Sequence, residues 1–261
     1  MSEIMLSSKT ELQHLFANYS TLKTSNVLEQ LLEECCVDTK GRNPREVIND
    51  LYFDLYPNET VVKASFVQKA LPLKKANSVY AFEVPAGNSR ADVCRIGRLS
   101  TAYEIKTEYD SFTRLETQLR DYLSIFDLCY LVVPRAQLTK AVNLSPPTCG
   151  IITYTHHRRS IAFCTKRKAL PTKDKNVQKQ INSLSQSELH KALSSTQAEK
   201  QPGATLGNTT QSPTDLNRSF KRILKQRYEQ RWRFLQEHQA EILPIDYEWF
   251  FFNNIDPSKV Y

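Results

Sequence analysis

Apolar residues recur at helical spacing through the first sixty positions. In SNVLEQLLEECC, Val27, Leu28, Leu31, Leu32 and Cys35 share one face, the stripe of an amphipathic helix. NPREVINDLYFDLYP repeats the pattern with Val47, Ile48, Leu51, Tyr52 and Leu55. It opens on Asn43, Pro44 and Glu46, residue types suited to a cap, a first turn and a capping box. Pro57-Asn58 closes it. From about residue 78 the period falls to two. SVYAFEVP, ADVCRIG and TAYEIKTE are rich in β-branched and aromatic residues and are separated by Gly-Asn and Gly-Arg turn signals, which predicts three successive antiparallel strands. SFTRLETQLRDYLSIFD returns to helical spacing, with Asp110 or Ser111 available as its cap. LCYLVVP has the continuous apolar character of a strand buried on both faces. GIITYT and SIAFCTK add two more candidate strands.

The order helix, three strands, helix, strand implies an α/β body, with a mixed sheet and helices packed on it. The helix before the fourth strand allows that strand to pair in parallel with the third by a right-handed crossover. The organisation expected is a helical segment over 1–60, a core over 61–165, a polar linker over 166–215 and a C-terminal segment over 216–261. The linker contains one short helical piece, SQSELHKALSS. The last segment joins a basic helix to an aromatic tail, YEWFFFN, with too many rings to remain exposed, so it is expected to dock on the body.

Charge adds a partner class. The chain carries +7 overall, and residues 156–235 hold 17 Lys/Arg against five Asp/Glu, a local +12 that leaves −5 elsewhere. A basic segment on a mildly acidic body suits a polyanion, nucleic acid first, or is a solvated basic tract. Apolar residues make up 40% of the chain, enough for a sizeable core, and no run of about 18 apolar residues predicts a membrane span. The N-terminus lacks the pattern of a secretory signal. Six cysteines occur without C-x-x-C spacing, and Cys94, Cys129 and Cys164 lie in strand-like apolar runs. That usage fits a reducing cytoplasm without structural zinc.

Candidate chemistry concentrates between residues 83 and 122. Alternation along a strand puts Glu104 and Lys106 on one face, with Tyr103 and Ile105 on the other. A short turn after the second strand brings Asp92 toward Glu104. Two neighbouring carboxylates repel unless a cation lies between them, and Mg²⁺ suits such oxygen donors. A lysine two residues on is placed to orient water or to stabilise charge on a phosphate. On an exposed sheet face Glu104 and Lys106 would simply be a cross-strand charge pair. E-x-K occurs once in the chain, and its D-x-K counterpart, Asp38-Thr39-Lys40, falls in a turn.

Asp92, Glu104-Ile105-Lys106 and a following helix with Gln118 and Tyr122 together resemble the PD-(D/E)XK nuclease superfamily. The Gln-x-x-x-Tyr pair is similar to its RecB-type branch, and residues 78–165 resemble small bacterial nuclease-like proteins. The proline that precedes the aspartate in that motif is Ala91 here. The resemblance implies a restriction-endonuclease-like core with helical N-terminal and basic C-terminal extensions. It makes Asp92, Glu104 and the Ile105 carbonyl ligands of Mg²⁺, with Mn²⁺ as a substitute. It also implies a catalytic role for Lys106, an auxiliary acid at Glu83, and positioning by Gln118 and Tyr122. The activity implied is cleavage of DNA, in defence, repair or mobile-element settings. RNA cleavage and a silent, nucleic-acid-binding version of the fold are the alternatives.

Further cations extend the expected nucleic-acid surface. Arg90 and Arg114 flank the proposed site, and Arg158 and Arg159 follow adjacent histidines, His156 and His157, that read as surface groups. Arg222, Lys225, Arg231 and Arg233 are interleaved with Tyr228 and Trp232, which either stack on bases or pack internally. No nucleotide-binding or serine-hydrolase signature is present.

Overall fold

The computed structural model describes residues 9–73, 77–172, 175–189 and 213–261. They form a mixed α/β protein whose six-stranded open sheet has strand order β1-β2-β3-β4-β5-β6. Four helices come first: α1 (Lys9–Asn18), α2 (Ser25–Glu34), α3 (Pro44–Leu55) and α4 (Glu59–Gln68). Asn43 caps α3 as its sequence predicts, accepting a hydrogen bond from the Arg45 amide. Helix α4 is an addition to the expected elements. Asn58 caps it, and Val61, Val62, Lys63, Ala64, Ser65 and Val67 are all buried.

Strands β1 (Val79–Ala86), β2 (Ser89–Ile96) and β3 (Ser100–Ile105) are antiparallel neighbours. Helix α5 (Leu115–Ile125) then crosses to β4 (Leu128–Pro134), which pairs in parallel with β3. A short helix absent from the sequence reading, α6 (Leu138–Leu144), precedes β5 (Gly150–His157), also parallel to β4. Strand β6 (Ser160–Arg167) closes the far edge. The expected linker contains α7 (Val177–Asn182) and a helical start at residues 186–189. The remainder of the SQSELHKALSS piece lies outside the described residues. The basic segment is α8 (Pro213–Glu237), and the aromatic tail forms α9 (Tyr247–Asn253).

The chain divides into two compact units. One comprises residues 1–74, 155–162 and 233–261. Within it, Phe250 and Phe251 of the aromatic tail are fully buried. Lys63, itself buried, is neutralised by Glu59 at 2.6 Å and by Glu248 of α9 at 3.2 Å. Asp246 is buried too, and accepts hydrogen bonds from the hydroxyls of Tyr19, Thr21 and Tyr261 at 2.7–2.9 Å. Arg159 pairs with Asp50 and Asp54 on α3, and a ring nitrogen of His156 bonds the Phe53 carbonyl. His156 is thus tied to the backbone of this unit.

The other unit comprises residues 75–154 and 163–232 and carries most of the sheet. Helix α5 is pinned at two points. Gly87, at φ 65°, turns the β1–β2 hairpin so tightly that a Cβ there would lie 3.0 Å from Asp121 Oδ1 of α5. Asp121 then accepts from Ser89 Oγ at 2.8 Å and pairs with Lys179 at 3.1 Å. Asp127, between α5 and β4, gathers the second set of partners. It accepts from the Ser100 amide (2.8 Å) and from Asn217 (3.0 Å), and pairs with Lys221 (3.0 Å) and Lys175 (3.1 Å). Burial acts to raise its pKa, but the Ser100 amide, Lys221 and Asn217 outweigh burial and hold it at about 2.

Two expectations about side chains are corrected. Cys164 is exposed on the edge strand, whereas Cys94, Cys129 and Cys149 are buried. The predicted cap at Asp110 or Ser111 is not used. Arg114 occupies the N-cap of α5, and Asp110 instead closes the preceding turn by accepting from the Thr107 amide at 2.7 Å.

Because the folded pKa of Asp127 is depressed, its stabilisation is complete above the ordinary carboxylate value and fades as pH falls toward 2. Asp127→Asn is expected to cost about 3–5 kcal/mol, the range for breaking a buried ion pair. Urea denaturation at pH 7 and at pH 3 checks this, and the difference between variant and parent narrows at the lower pH.

Candidate active site

The candidate site lies where β2 and β3 part company, on the face of the sheet covered by α5. All six residues of β3 are buried, and Glu104 is only 1% exposed. That removes the reading of Glu104 and Lys106 as decoration on a solvated face, since a carboxylate so buried needs charge and hydrogen-bond partners. Glu104 has both. Lys106 Nζ lies 2.7 Å from Oε1, and the Tyr122 hydroxyl lies 2.6 Å from Oε2. The same hydroxyl is 2.7 Å from the Arg90 carbonyl, so one proton serves two acceptors. Burial first, and then the Glu104 carboxylate, push the Tyr122 phenol far above its ordinary range. It therefore stays a donor at any ordinary pH.

Asp92 is held differently. The β2–β3 ladder pairs Val93 with Tyr103 and Cys94 with Ala102, and continuing that register sets Asp92 opposite Glu104. There the Ile105 amide donates to Asp92 Oδ2 at 2.5 Å, a side-chain bond in the place of a ladder bond. Asp92 is 9% exposed. On the neighbouring strand, Phe82 pairs with Val93 and Val84 with Ala91, but Glu83 between them adopts φ 52°. A left-handed glutamate costs about 1–2 kcal/mol and breaks the pairing opposite Asp92. One carboxylate oxygen of Glu83 lies within 4.8 Å of one of Asp92, and Glu83 Oε2 is 2.7 Å from Arg90 Nε.

Gln118, one turn before Tyr122 on α5, is half-buried, and its Oε1 is buried without a hydrogen-bond donor among the described residues. Arg114 is exposed at the N-terminus of α5. Asp92, Glu104, Ile105, Lys106, Tyr122, Glu83 and Arg90 are thus brought together by direct contacts. A separate groove of about 590 Å³, lined by Glu116, Leu119, Arg120, Leu123 and Leu144 among others, contains none of them.

The basic helix is more inward-facing than its sequence suggests. Tyr228 and Trp232 are buried, with Trp232 against Tyr80 at 5.1 Å between ring centroids, so of the two readings of these rings internal packing is the one observed. Lys221 is bound to Asp127, Arg227 to Glu188 and Lys225 to Asn77. Arg222 and Arg233 are exposed, and Arg231 is half-buried. Arg158, at φ 45°, forms the exposed turn between β5 and β6 in the other unit, beside Arg159.

Sequence reading missed Asp121 and Asp127, which fix α5 against β2 and β3. The one signal for Asp127 was an acid placed between two apolar runs, SIF and LCYLVVP.

Residues 54–249 match the family model described as bacteriophage P4 protein cII, which is well over half of the chain. The chain belongs to the bacteriophage P4 protein cII family. This phage-related family fits a phage or mobile-element setting. A protein of unknown function from Silicibacter pomeroyi has a solved structure that aligns with 53% of this chain and 94% of its own, at 18% identity and a TM-score of 0.31, too distant a likeness to bear on the fold. No curated protein matches the sequence significantly. No helix among the described residues is long and apolar enough to cross a membrane.

Tyr122→Phe keeps the packing and removes the one donor shared by Glu104 and the Arg90 carbonyl. A loss of about 1–3 kcal/mol is expected, measured by chemical denaturation, with the far-UV circular dichroism of the folded protein unchanged.

Proposed function

We propose that this cII-family chain is a Mg²⁺-dependent nuclease hydrolysing phosphodiester bonds in DNA, built on a restriction-endonuclease-like core and acting in the cytoplasm. The observation that carries the reading is two buried acids on neighbouring strands, Asp92 accepting from the Ile105 amide next to Glu104, with Lys106 Nζ 2.7 Å from Glu104. The buried carboxylates of Asp92 and Glu104, on the ends of neighbouring strands, offer hard oxygen donors beside a lysine. A hard divalent cation is the natural complement.

The donor set fits Mg²⁺, which takes oxygen ligands and retains several waters. Asp92, Glu104 and the Ile105 carbonyl would hold it, with Glu83 as the auxiliary acid, and Mn²⁺ would substitute. When bound, Mg²⁺ supplies Lewis acidity toward a phosphoryl oxygen. The rest falls to the protein. Glu104 fixes Lys106 by their ion pair, so the lysine is held ready to stabilise negative charge building on the phosphate or to orient the attacking water. Tyr122 locks the orientation of the Glu104 carboxylate. Gln118, with its buried unpaired oxygen, is available to a donor on the substrate or a solvent molecule. Arg90 and Arg114 supply cationic contacts to the backbone near the site, and Arg222, Lys225, Arg231, Arg233, Arg158 and Arg159 are the wider candidates. Phosphate contacts of this kind make binding fall steeply with salt.

Incubation with linear DNA, circular DNA and RNA, in Mg²⁺ or in EDTA, tests the reading. Cleavage of DNA is expected only with the metal, and Asp92→Asn or Lys106→Ala should lower the rate by roughly 100- to 1000-fold. Undiminished metal-dependent cleavage by Lys106→Ala would remove the mechanism. Cutting of RNA alone would change the substrate, and salt-sensitive DNA binding without any cleavage would make the chain a binding module.

A further inference from the structure

The β2–β3 register puts more than two acids at the site. Arg90 lies two residues from Asp92 on β2, and Lys106 lies two residues from Glu104, just past the end of β3. A cation therefore lies two residues outward from each carboxylate along its own strand. Lys106 is committed to Glu104 and its side chain is 11% exposed. Arg90 differs, because its side chain is 66% exposed and its Nε rests on Glu83 Oε2 at 2.7 Å. A guanidinium fork so exposed matches two phosphate oxygens better than an ammonium does.

The position of Arg90 is fixed by its own backbone. Its carbonyl accepts from Tyr122, whose hydroxyl also meets Glu104. Its side-chain partner, Glu83, stands opposite Asp92 in the left-handed backbone that breaks the ladder, with carboxylate oxygens of the two within 4.8 Å. One carboxylate, Glu83, is thus shared between the acidic pair's neighbourhood and the arginine. We propose that Arg90 binds a substrate phosphate and that Glu83 couples this to divalent-cation binding. With a cation held at Asp92, Glu83 would be shared with it and would hold the Arg90 guanidinium less tightly, leaving that guanidinium to meet a phosphodiester oxygen. The cation and the phosphate therefore bind cooperatively, and by thermodynamic linkage each tightens the other by the same factor.

This inference rests on the nuclease reading but does not need turnover to be tested. Mn²⁺ is titrated calorimetrically into the full chain, with and without thymidine 5′-monophosphate. The nucleotide should tighten Mn²⁺ binding roughly 5- to 100-fold. Arg90→Gln should abolish that enhancement, and because it releases Glu83 it should itself tighten Mn²⁺ binding in the absence of nucleotide. Arg90→Lys should restore part of it. Full coupling in Arg90→Gln would overturn the role of Arg90 and leave the nuclease reading intact. Absence of Mn²⁺ binding by the parent chain would overturn both.

Discussion

A single buried carboxylate, Glu104, constrains the architecture of the site. It sits in a strand with no exposed residue, so its charge is tolerated only with close partners on both oxygens. An uncompensated carboxylate there would cost several kcal/mol. Lys106 meets one oxygen from just past the end of β3, and Tyr122 meets the other from α5. Satisfying Glu104 thereby obliges α5 to lie across the ends of β2 and β3. Asp121 and Asp127 make that arrangement durable, one clamping α5 to the β1–β2 hairpin and the other joining the start of β4 to the Ser100 amide and α8.

The same constraint explains why Asp92 and Glu83 depart from regular pairing. Where the β2–β3 ladder stops, the Ile105 amide turns to the Asp92 side chain, and across the next strand Glu83 leaves the extended region altogether. These are costs to the fold, and they gather at one place. Strain and charge concentrated where regular hydrogen bonding ends are characteristic of sites shaped for a ligand. Arg90 joins the cluster through both its carbonyl and its guanidinium, so this exposed cation and the acids form one connected network.

Much of this was legible in the chain because strand periodicity is unambiguous. Alternation alone places Glu104 with Lys106 and apart from Tyr103 and Ile105, and the opposite side is seen in the Tyr103–Tyr130 stack. The α5 crossover followed from its apolar stripe. Helix α4 was hidden because it is buried nearly all round, Lys63 and Ser65 included, which erases the polar face that reveals a helix. Glu83 was unreadable as a break, since no glycine marks the turn of its backbone. The charge of α8 overstates the cations open to a partner. Net charge counts every cation as available, whereas Lys221 and Arg227 are committed to acids within the fold.

The central claim is that Asp92 and Glu104 form a divalent-cation site, and Mn²⁺-soaked crystals measured at the manganese absorption edge test it most directly. The account predicts an anomalous peak bounded by the Asp92 and Glu104 carboxylates, lost in Asp92→Asn. A Mn²⁺-saturated crystal with no peak there, and with Lys106 still on Glu104, would contradict it.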